Sequence, residues 1–158
     1  IDVVNEYMEN AKFDQQFDVV VLRHIIEHFA DPATIIAKVR SFLKPGGVVL
    51  VVVPNIDCLG RRLFETDWAW VLPWHCNFFN PQSADRLLTG QGFDVVKSYQ
   101  TASPLYYPGA IMRRFPNRLV KGLLGRDRVA AMTLCAPLAI GGKWFGMGDN
   151  LNLIAVMK

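Results

Sequence analysis

Three residues that could do metal or acid–base chemistry lie close together, as His24, Glu27 and His28. Their spacing, H-x-x-E-H, holds zinc in some peptidases when it lies on a helix. Here His24 directly follows the apolar run 17–22, which predicts a strand, and the next helix begins only at Asp31. Short motifs of this kind also recur by chance. The spacing therefore does not favour a peptidase.

Two apolar runs separated by a helix predict the sheet that positions these residues. Residues 17–22 and 48–53 are rich in β-branched side chains, as is typical of parallel strands buried on both faces. Asp31 and Pro32 suit the N-cap and first position of a helix between them, and residues 44–47, KPGG, predict its end. Strand, helix and strand form a right-handed βαβ unit.

Further elements extend this α/β domain. Residues 93–99 and 150–157 predict two more strands, and residues 1–4 predict one short strand. A helix is expected to begin at Asn80 and Pro81, and residues 103–148 predict a mostly helical insertion before the last strand. Prolines are expected to break that insertion at Pro104, Pro108, Pro116 and Pro137. We expect one domain over residues 1–158.

Composition restricts the class of protein. The 158 residues are 51% hydrophobic and 20% charged, which indicates a globular domain with a real core. The three cysteines show no C-x-x-C spacing, which is typical of a reduced, cytoplasmic chain. The chain shows neither a signal peptide nor a run long enough to span a bilayer. It begins with Ile1, so we expect a piece of a longer protein. Its net charge of +3 and lack of a zinc or RNP-like pattern argue against nucleic acid as a partner.

The basic residues are concentrated in one segment. Between residues 105 and 148, seven basic residues accompany a single acid, Asp127, which gives a local net charge of +6. Apolar residues are interleaved with them over 111–128, a pattern that suits peripheral contact with a membrane or a lipid-linked acceptor. The alternatives are a solvated helical surface and a helix that packs on its own sheet.

Four local patterns, in this order, resemble class I S-adenosylmethionine-dependent methyltransferases. Residues 17–32 (FDVV, then EH and DP) look like the fourth-strand motif of that family, and residues 43–55 (LKPGG to VPN) look like the strand that follows. His75 with residues 78–93 looks like the next helix and strand. Residues 62–64 and 68 are similar to the branch of cell-surface sugar and quinone-biosynthesis methyltransferases. The resemblance implies a Rossmann-like sheet, mostly parallel with an antiparallel last strand.

The resemblance also implies S-adenosylmethionine as cofactor. It places Leu22, Arg23 and His24 beside the methionine portion and Glu6 near the adenine. Family members begin with a strand, a glycine-rich turn and a ribose-binding acid, and no such run precedes Phe17. We therefore expect the C-terminal half of such an enzyme, with a complete cofactor site only in a longer parent protein.

The implied activity is methyl transfer to an oxygen, nitrogen or carbon atom of a small molecule, such as a sugar-linked or lipid-linked acceptor. His24 or His75 could deprotonate the nucleophile, because imidazole titrates near neutrality; both could equally be hydrogen-bonded loop histidines. Aromatic residues near His75 would form the acceptor pocket or a packed lid over the sheet. The predicted pocket residues are Trp68, Trp74, His75 and Phe78.

Three further expectations follow from the resemblance. Some quinone-pathway members hold a metal beside this segment through acids and a histidine. Glu27 and His28 match that pattern, but His24 stands where an acid is expected. We therefore predict no metal and a loop-bracing role for Glu27. The alternative to an enzyme is a non-catalytic remnant that acts as a binding or assembly module. Without a first strand, residues 18–22 would expose a sheet edge, which predicts self-association of the isolated chain.

Overall fold

The fold is organised around one four-stranded sheet. The structure, a computed structural model, describes residues 2–158. The strands are β1 (Phe17–Arg23), β2 (Leu43–Pro54), β3 (Phe93–Thr101) and β4 (Asn150–Met157). Their order in the sheet is β1-β2-β4-β3, with β1 parallel to β2 and with β4 antiparallel to both β2 and β3. Three strands therefore run in one direction and the last runs against them, which confirms the predicted sheet.

Residues 2–158 also form six α-helices. Their bounds are α1 (Pro32–Phe42), α2 (Leu59–Phe64), α3 (Pro81–Gly90), α4 (Tyr107–Arg114), α5 (Arg118–Leu124) and α6 (Arg128–Trp144). The main core lies between the sheet and helices α1 and α3, where Val39 and Leu88 pack against β2 residues such as Val51. None of the helices over residues 2–158 is long and apolar enough to cross a bilayer.

The predicted starts of α1 and α3 are confirmed. The Asp31 carboxylate accepts hydrogen bonds from the backbone N–H groups of Ala33 and Thr34 at the first turn of α1. At α3, Asn80 and Ser83 form a reciprocal capping box. Both helices carry proline in the first turn, where the missing N–H is not needed by the helix.

The KPGG segment belongs to a strand, which corrects the prediction that it ends α1. The helix already ends at Phe42, and β2 starts at Leu43. Phe17 pairs with Leu43 and Val19 pairs with Val48, so residues 44–47 bulge out of the ladder. Gly46 adopts a φ of 75°, a conformation that glycine reaches without steric cost.

Strand β1 lies at the edge of the sheet, and two sequence predictions about this region are wrong. Residues 17–22 were expected to be buried on both faces, but Val19 and Val21 are each 56% exposed, because only the alternate side chains Val20 and Leu22 pack in the main core. The short strand predicted for residues 1–4 is not formed over residues 2–4, which are exposed and irregular; Ile1 lies outside the described residues.

The insertion is mostly helical, as predicted, but Pro137 does not break it. Pro137 lies inside the 17-residue helix α6. A proline there removes one backbone hydrogen bond. The helix continues because Ala131, Cys135 and Ala139 are buried on one side of it. Cys135 and Ala139 join a second core that also contains Trp68 and Tyr107.

Asp149 connects this second core to the sheet. It is fully buried, its backbone carbonyl accepts from the N–H of Asn55 at 2.9 Å, and its carboxylate accepts from the N–H of Ser103 at 3.2 Å. Burial raises the pKa of Asp149 to about 6, because the charged carboxylate is removed from water. A titrating acid thus lies where the ends of β2 and β3 meet the insertion.

Candidate functional site

The candidate site begins where β1 ends. His24 is the first residue after β1, and its backbone N–H donates to the carbonyl of Val52 in β2 at 2.9 Å. Its φ is 53°, in the left-handed region that non-glycine residues rarely adopt. Strained residues of this kind are concentrated at functional sites, where the surrounding structure holds them in place. The strained backbone of His24 therefore indicates a functional site at this strand end.

A buried carboxyl group orients the His24 ring. The His24 Nδ1 lies 3.2 Å from Oε1 of Glu27, which is completely buried in a single 3₁₀ turn, Ile26–His28. The Glu27 carbonyl also accepts from the N–H groups of Cys76 and Asn77, at 2.8 and 3.1 Å. The backbone carbonyl of Glu27 thus holds the loop at Cys76 and Asn77, whereas its carboxylate, predicted to brace the loop, contacts the His24 ring instead. With Nδ1–H donating to Glu27, the His24 Nε2 is left free to accept a proton.

Trp70 lies at the centre of the aromatic residues around this pair. Its ring is stacked on His24 at a centroid distance of 4.6 Å and on His75 at 5.8 Å, both with an interplanar angle of 19°. Trp70 therefore brings together the two histidines that the sequence singled out separately. Trp70 was not among the predicted pocket residues, although it lies in the aromatic stretch that precedes His75.

His75 is a second, more buried imidazole. Burial lowers the pKa of His75, an effect that the nearby Glu27 opposes. No described residue gives its buried Nδ1 a hydrogen-bond partner, and the same holds for Oε2 of Glu27. The ring of His28 meets His75 edge to face at 4.8 Å, while its Nδ1 donates to the carbonyl of Trp74 at 3.1 Å. The site thus contains buried polar atoms available to a ligand.

A metal ion is one ligand that these atoms could hold. Glu27, His28 and His75 each offer a ligand atom, and these atoms lie within 4.8 Å of one another. Carboxylate and imidazole together suit a divalent transition metal. His24 is not part of this group, and the H-x-x-E-H residues run from a strand end into one 3₁₀ turn, so the helical geometry of a zinc peptidase is not present. The absence of a metal stays a prediction.

The other predicted site residues are found in different surroundings. Leu22 is buried in the main core and Arg23 is exposed at the end of β1. Glu6 lies in the irregular segment before β1, where its carboxylate accepts from the N–H of Tyr7 at 2.8 Å. These positions leave the predicted cofactor contacts of Glu6, Leu22 and Arg23 untested.

The predicted acceptor-pocket residues differ in exposure. Trp68 is buried in the second core, and its ring lies 6.4 Å from that of Phe78. Trp74 is 59% exposed, and Phe78 is also partly exposed. Trp68 therefore belongs to the packed second core, whereas Trp74 and Phe78 present aromatic surface to solvent. The pocket stays a prediction.

Comparison with known proteins decides the family. The model of the methyltransferase domain family matches residues 2–98, more than half of the chain. The chain belongs to this family. The match covers β1, β2 and the first six of the nine residues of β3, and hence the strand end that carries His24 and Glu27.

Curated relatives match part of the methyltransferase domain. A ubiquinone biosynthesis O-methyltransferase of Cereibacter sphaeroides is 29% identical over 93 residues, which are 54% of this chain and 38% of that protein. The enzyme of the same name from Caulobacter vibrioides is 36% identical over 58 residues, or 37% of this chain and 23% of that protein. The methyltransferase domain thus matches well under half the length of either relative.

Solved structures with the same fold extend over the whole chain. A SAM-dependent methyltransferase of Thermotoga maritima matches 100% of this chain and 65% of its own, with a TM-score of 0.66 and 18% identity. The N-methyltransferase NodS of Bradyrhizobium japonicum, solved with S-adenosylhomocysteine, matches 98% of this chain and 53% of its own, with a TM-score of 0.51 and 13% identity. These matches show that the methyltransferase domain, including the insertion, has the fold of this class.

S-adenosylmethionine fits the described residues only in part. A groove of about 600 Å³ runs along the open side of β1, lined by apolar side chains such as Val19, Val21 and Phe29. The residues that line it include no aspartate or glutamate, whereas ribose hydroxyls require polar partners. The described residues of the methyltransferase domain therefore suit the acceptor side of a methyl-transfer site better than the nucleoside side.

Proposed function

We propose that this chain supplies the acceptor side of a methyltransferase that acts on a hydroxyl group of a small molecule. The observation that carries the proposal is the buried Glu27 carboxyl, which lies 3.2 Å from Nδ1 of His24. Both residues follow β1, which lies within the part of the chain that the family model matches. S-adenosylmethionine, when bound, supplies an electrophilic methyl group. The protein then has to align the nucleophile with that methyl group and accept the proton of the nucleophile.

His24 is the proposed proton acceptor. Its side chain is 21% exposed, so that a substrate can reach it, while Glu27 is fully buried and holds Nδ1. The remaining nitrogen, Nε2, accepts a proton from the hydroxyl as the oxygen attacks. Glu27 stabilises the resulting imidazolium and fixes the ring orientation, which makes it a positioning residue.

The stacked rings define the shape of the proposed acceptor. The rings of His24 and His75 are each stacked on Trp70 at an interplanar angle of 19°, and Trp74 and Phe78 present exposed aromatic surface. A planar hydroxylated molecule would stack in such surroundings with its hydroxyl near His24. The names of the relatives from Cereibacter sphaeroides and Caulobacter vibrioides, both O-methyltransferases, support oxygen as the nucleophile.

The test is methyl transfer from labelled S-adenosylmethionine to catechols and other phenols by the full-length protein. We expect His24→Ala to lower kcat by about 10²- to 10⁴-fold, the usual contribution of a general base. Added imidazole should restore part of the rate. Glu27→Gln should lower kcat less and leave KM nearly unchanged, while Glu65→Gln, an exposed carboxyl control, should be neutral.

Three outcomes would overturn the proposal. A His24→Ala variant with wild-type kcat would remove the base from His24. Activity that chelators abolish and a divalent metal restores would instead give Glu27, with His28 and His75, the role of metal ligand. If the full-length protein binds the phenol but transfers no methyl group, the non-catalytic module becomes the better description of this chain.

A further inference from the structure

Helix α6 is apolar on two opposite faces, and the described chain covers only one of them. The buried face contains Ala131, Cys135 and Ala139. On the opposite side, residues 129, 133, 137, 140 and 144 recur at helical spacing and are all exposed. Four of these five are apolar or proline, and Trp144 is 84% exposed. A helix that is hydrophobic all round is normally buried all round, so the outer face of α6 requires a partner.

The preceding helix adds to the same kind of surface. No residue of α5 is buried, and its residues Leu119 and Leu123, which are one turn apart, are 72% and 55% exposed. Phe115, just before α5, and Phe145, just after α6, are exposed as well. Helices α4, α5 and α6 contact one another, so this apolar surface belongs to one packed unit.

The charges around this surface have one sign. All seven basic residues between 105 and 148 are exposed, and no ion pair within residues 2–158 involves any of them. The single acid of the segment, Asp127, caps α6 by accepting from the N–H groups of Val129 and Ala130. Arg126 and Arg128 lie at the start of α6 and Lys143 lies near its end, so cations flank the apolar stripe at both ends.

We propose that the surface formed by α5 and the outer face of α6 docks on an anionic lipid bilayer. The apolar stripe from residue 129 to residue 144 is about 22 Å long, enough for a helix that lies in the plane of the interface. Its tryptophan, next to a phenylalanine, is of the kind enriched at lipid headgroups, and the flanking cations match anionic lipids.

A second copy of the chain fits this surface less well. A two-fold interface would place the same patch against itself. It would bring two segments of charge +6 into contact, and Asp127, the only acid within each segment, already caps α6. An anionic bilayer satisfies the apolar stripe and the cations at once. This inference does not depend on the proposed methyl transfer.

The test is flotation of the 158-residue chain with vesicles of phosphatidylcholine, with and without phosphatidylglycerol. We expect recovery only with the anionic vesicles, and less of it at high salt. Arg118→Glu with Lys121→Glu should lower the partition coefficient at least about tenfold, because each basic residue near the surface contributes to binding. Ile140→Ser with Trp144→Ser should abolish recovery of the chain with anionic vesicles, because it removes most of the apolar stripe.

Matched controls lie on the other side of the molecule. Arg86→Glu on α3 and Val96→Ser on β3 alter an exposed charge and an exposed apolar side chain without touching α5 or α6, and should bind as the wild type does. Equal recovery with neutral vesicles, or none with either kind, would refute the proposal. So would a concentration-dependent dimer that the Trp144 variant abolishes while vesicle binding is unchanged, because the face would then be a protein interface.

Discussion

Replacing Asp149 with asparagine tests whether the buried joint between sheet and insertion stores an electrostatic cost. Burial raises the pKa of Asp149 from 3.8 to about 6, and its buried neighbours Tyr107 and Cys58 offer no positive charge. Asparagine keeps an acceptor for the N–H of Ser103 but carries no charge. The variant should therefore be more stable than the wild type at any pH at which Asp149 is ionised.

The size of the effect follows from the shift in pKa. The folded state binds the proton of the Asp149 carboxyl more tightly than the unfolded state does. Protonation therefore stabilises the folded state, and this contribution is fully present below pH 3.8. It is lost as the pH rises toward about 6. Since one pKa unit corresponds to about 1.4 kcal/mol, the folded wild type loses about 3 kcal/mol over that interval. For a domain of this size, that amounts to about 6–12 °C in Tm.

Urea unfolding at several pH values, followed by tryptophan fluorescence, measures the difference between variant and wild type. We expect Asp149→Asn to gain up to about 3 kcal/mol at pH 7.5 and to lose that advantage near pH 4. The exposed Asp85 serves as a control, since Asp85→Asn should show no such pH dependence. A variant that is less stable than the wild type at pH 7.5 would refute the reasoning, because the carboxylate would then be stabilising when charged.

Three other predictions concern separate parts of the molecule. Light scattering should show that the isolated chain self-associates through β1, and Val19→Lys with Val21→Lys should reduce this, since lysine protects exposed edges; a wild-type monomer would contradict it. Calorimetry with S-adenosylhomocysteine should show weak or no binding by the 158 residues, because acids are absent from the groove beside β1; micromolar affinity would contradict it. Asn80→Ala should lower the free energy of unfolding, measured in urea, by about 1 kcal/mol, because it removes the cap of α3. Asn80→Asp should keep most of that stability, since aspartate also caps helices.

Elements were predictable wherever local chemistry decides them. The caps at Asp31 and Asn80 each signal a helix start through side chains that bond within the next turn. The β-branched runs likewise predicted β1 and β2. The exposure of Val19 could not be predicted in this way, because burial of a strand residue depends on which elements cover its face of the sheet. Pro137 misled the prediction since tertiary packing of α6 outweighs a local preference.

The candidate site was predicted only in its parts. The sequence singled out His24 and His75 by their residue type, and Glu27 by its spacing from His24. Trp70 stacks on both histidines because its loop folds back over the strand ends. The hydrogen bond from the N–H of Cys76 to the carbonyl of Glu27 holds the loop there. Contacts across about fifty residues leave no periodic trace in a sequence, so the assembly of the site required the structure.

The position of β4 between β2 and β3 has a consequence for biosynthesis. β4 comprises residues 150–157 and forms the ladders to both β2 and β3, so neither of those two strands contacts the other directly. During translation, β2 and β3 would leave the ribosome with no partner for their facing edges until residue 157 had also emerged. The sheet therefore closes late, through β2–β4 contacts between residues about a hundred positions apart, and the apolar edge of β2 is available to chaperones until then.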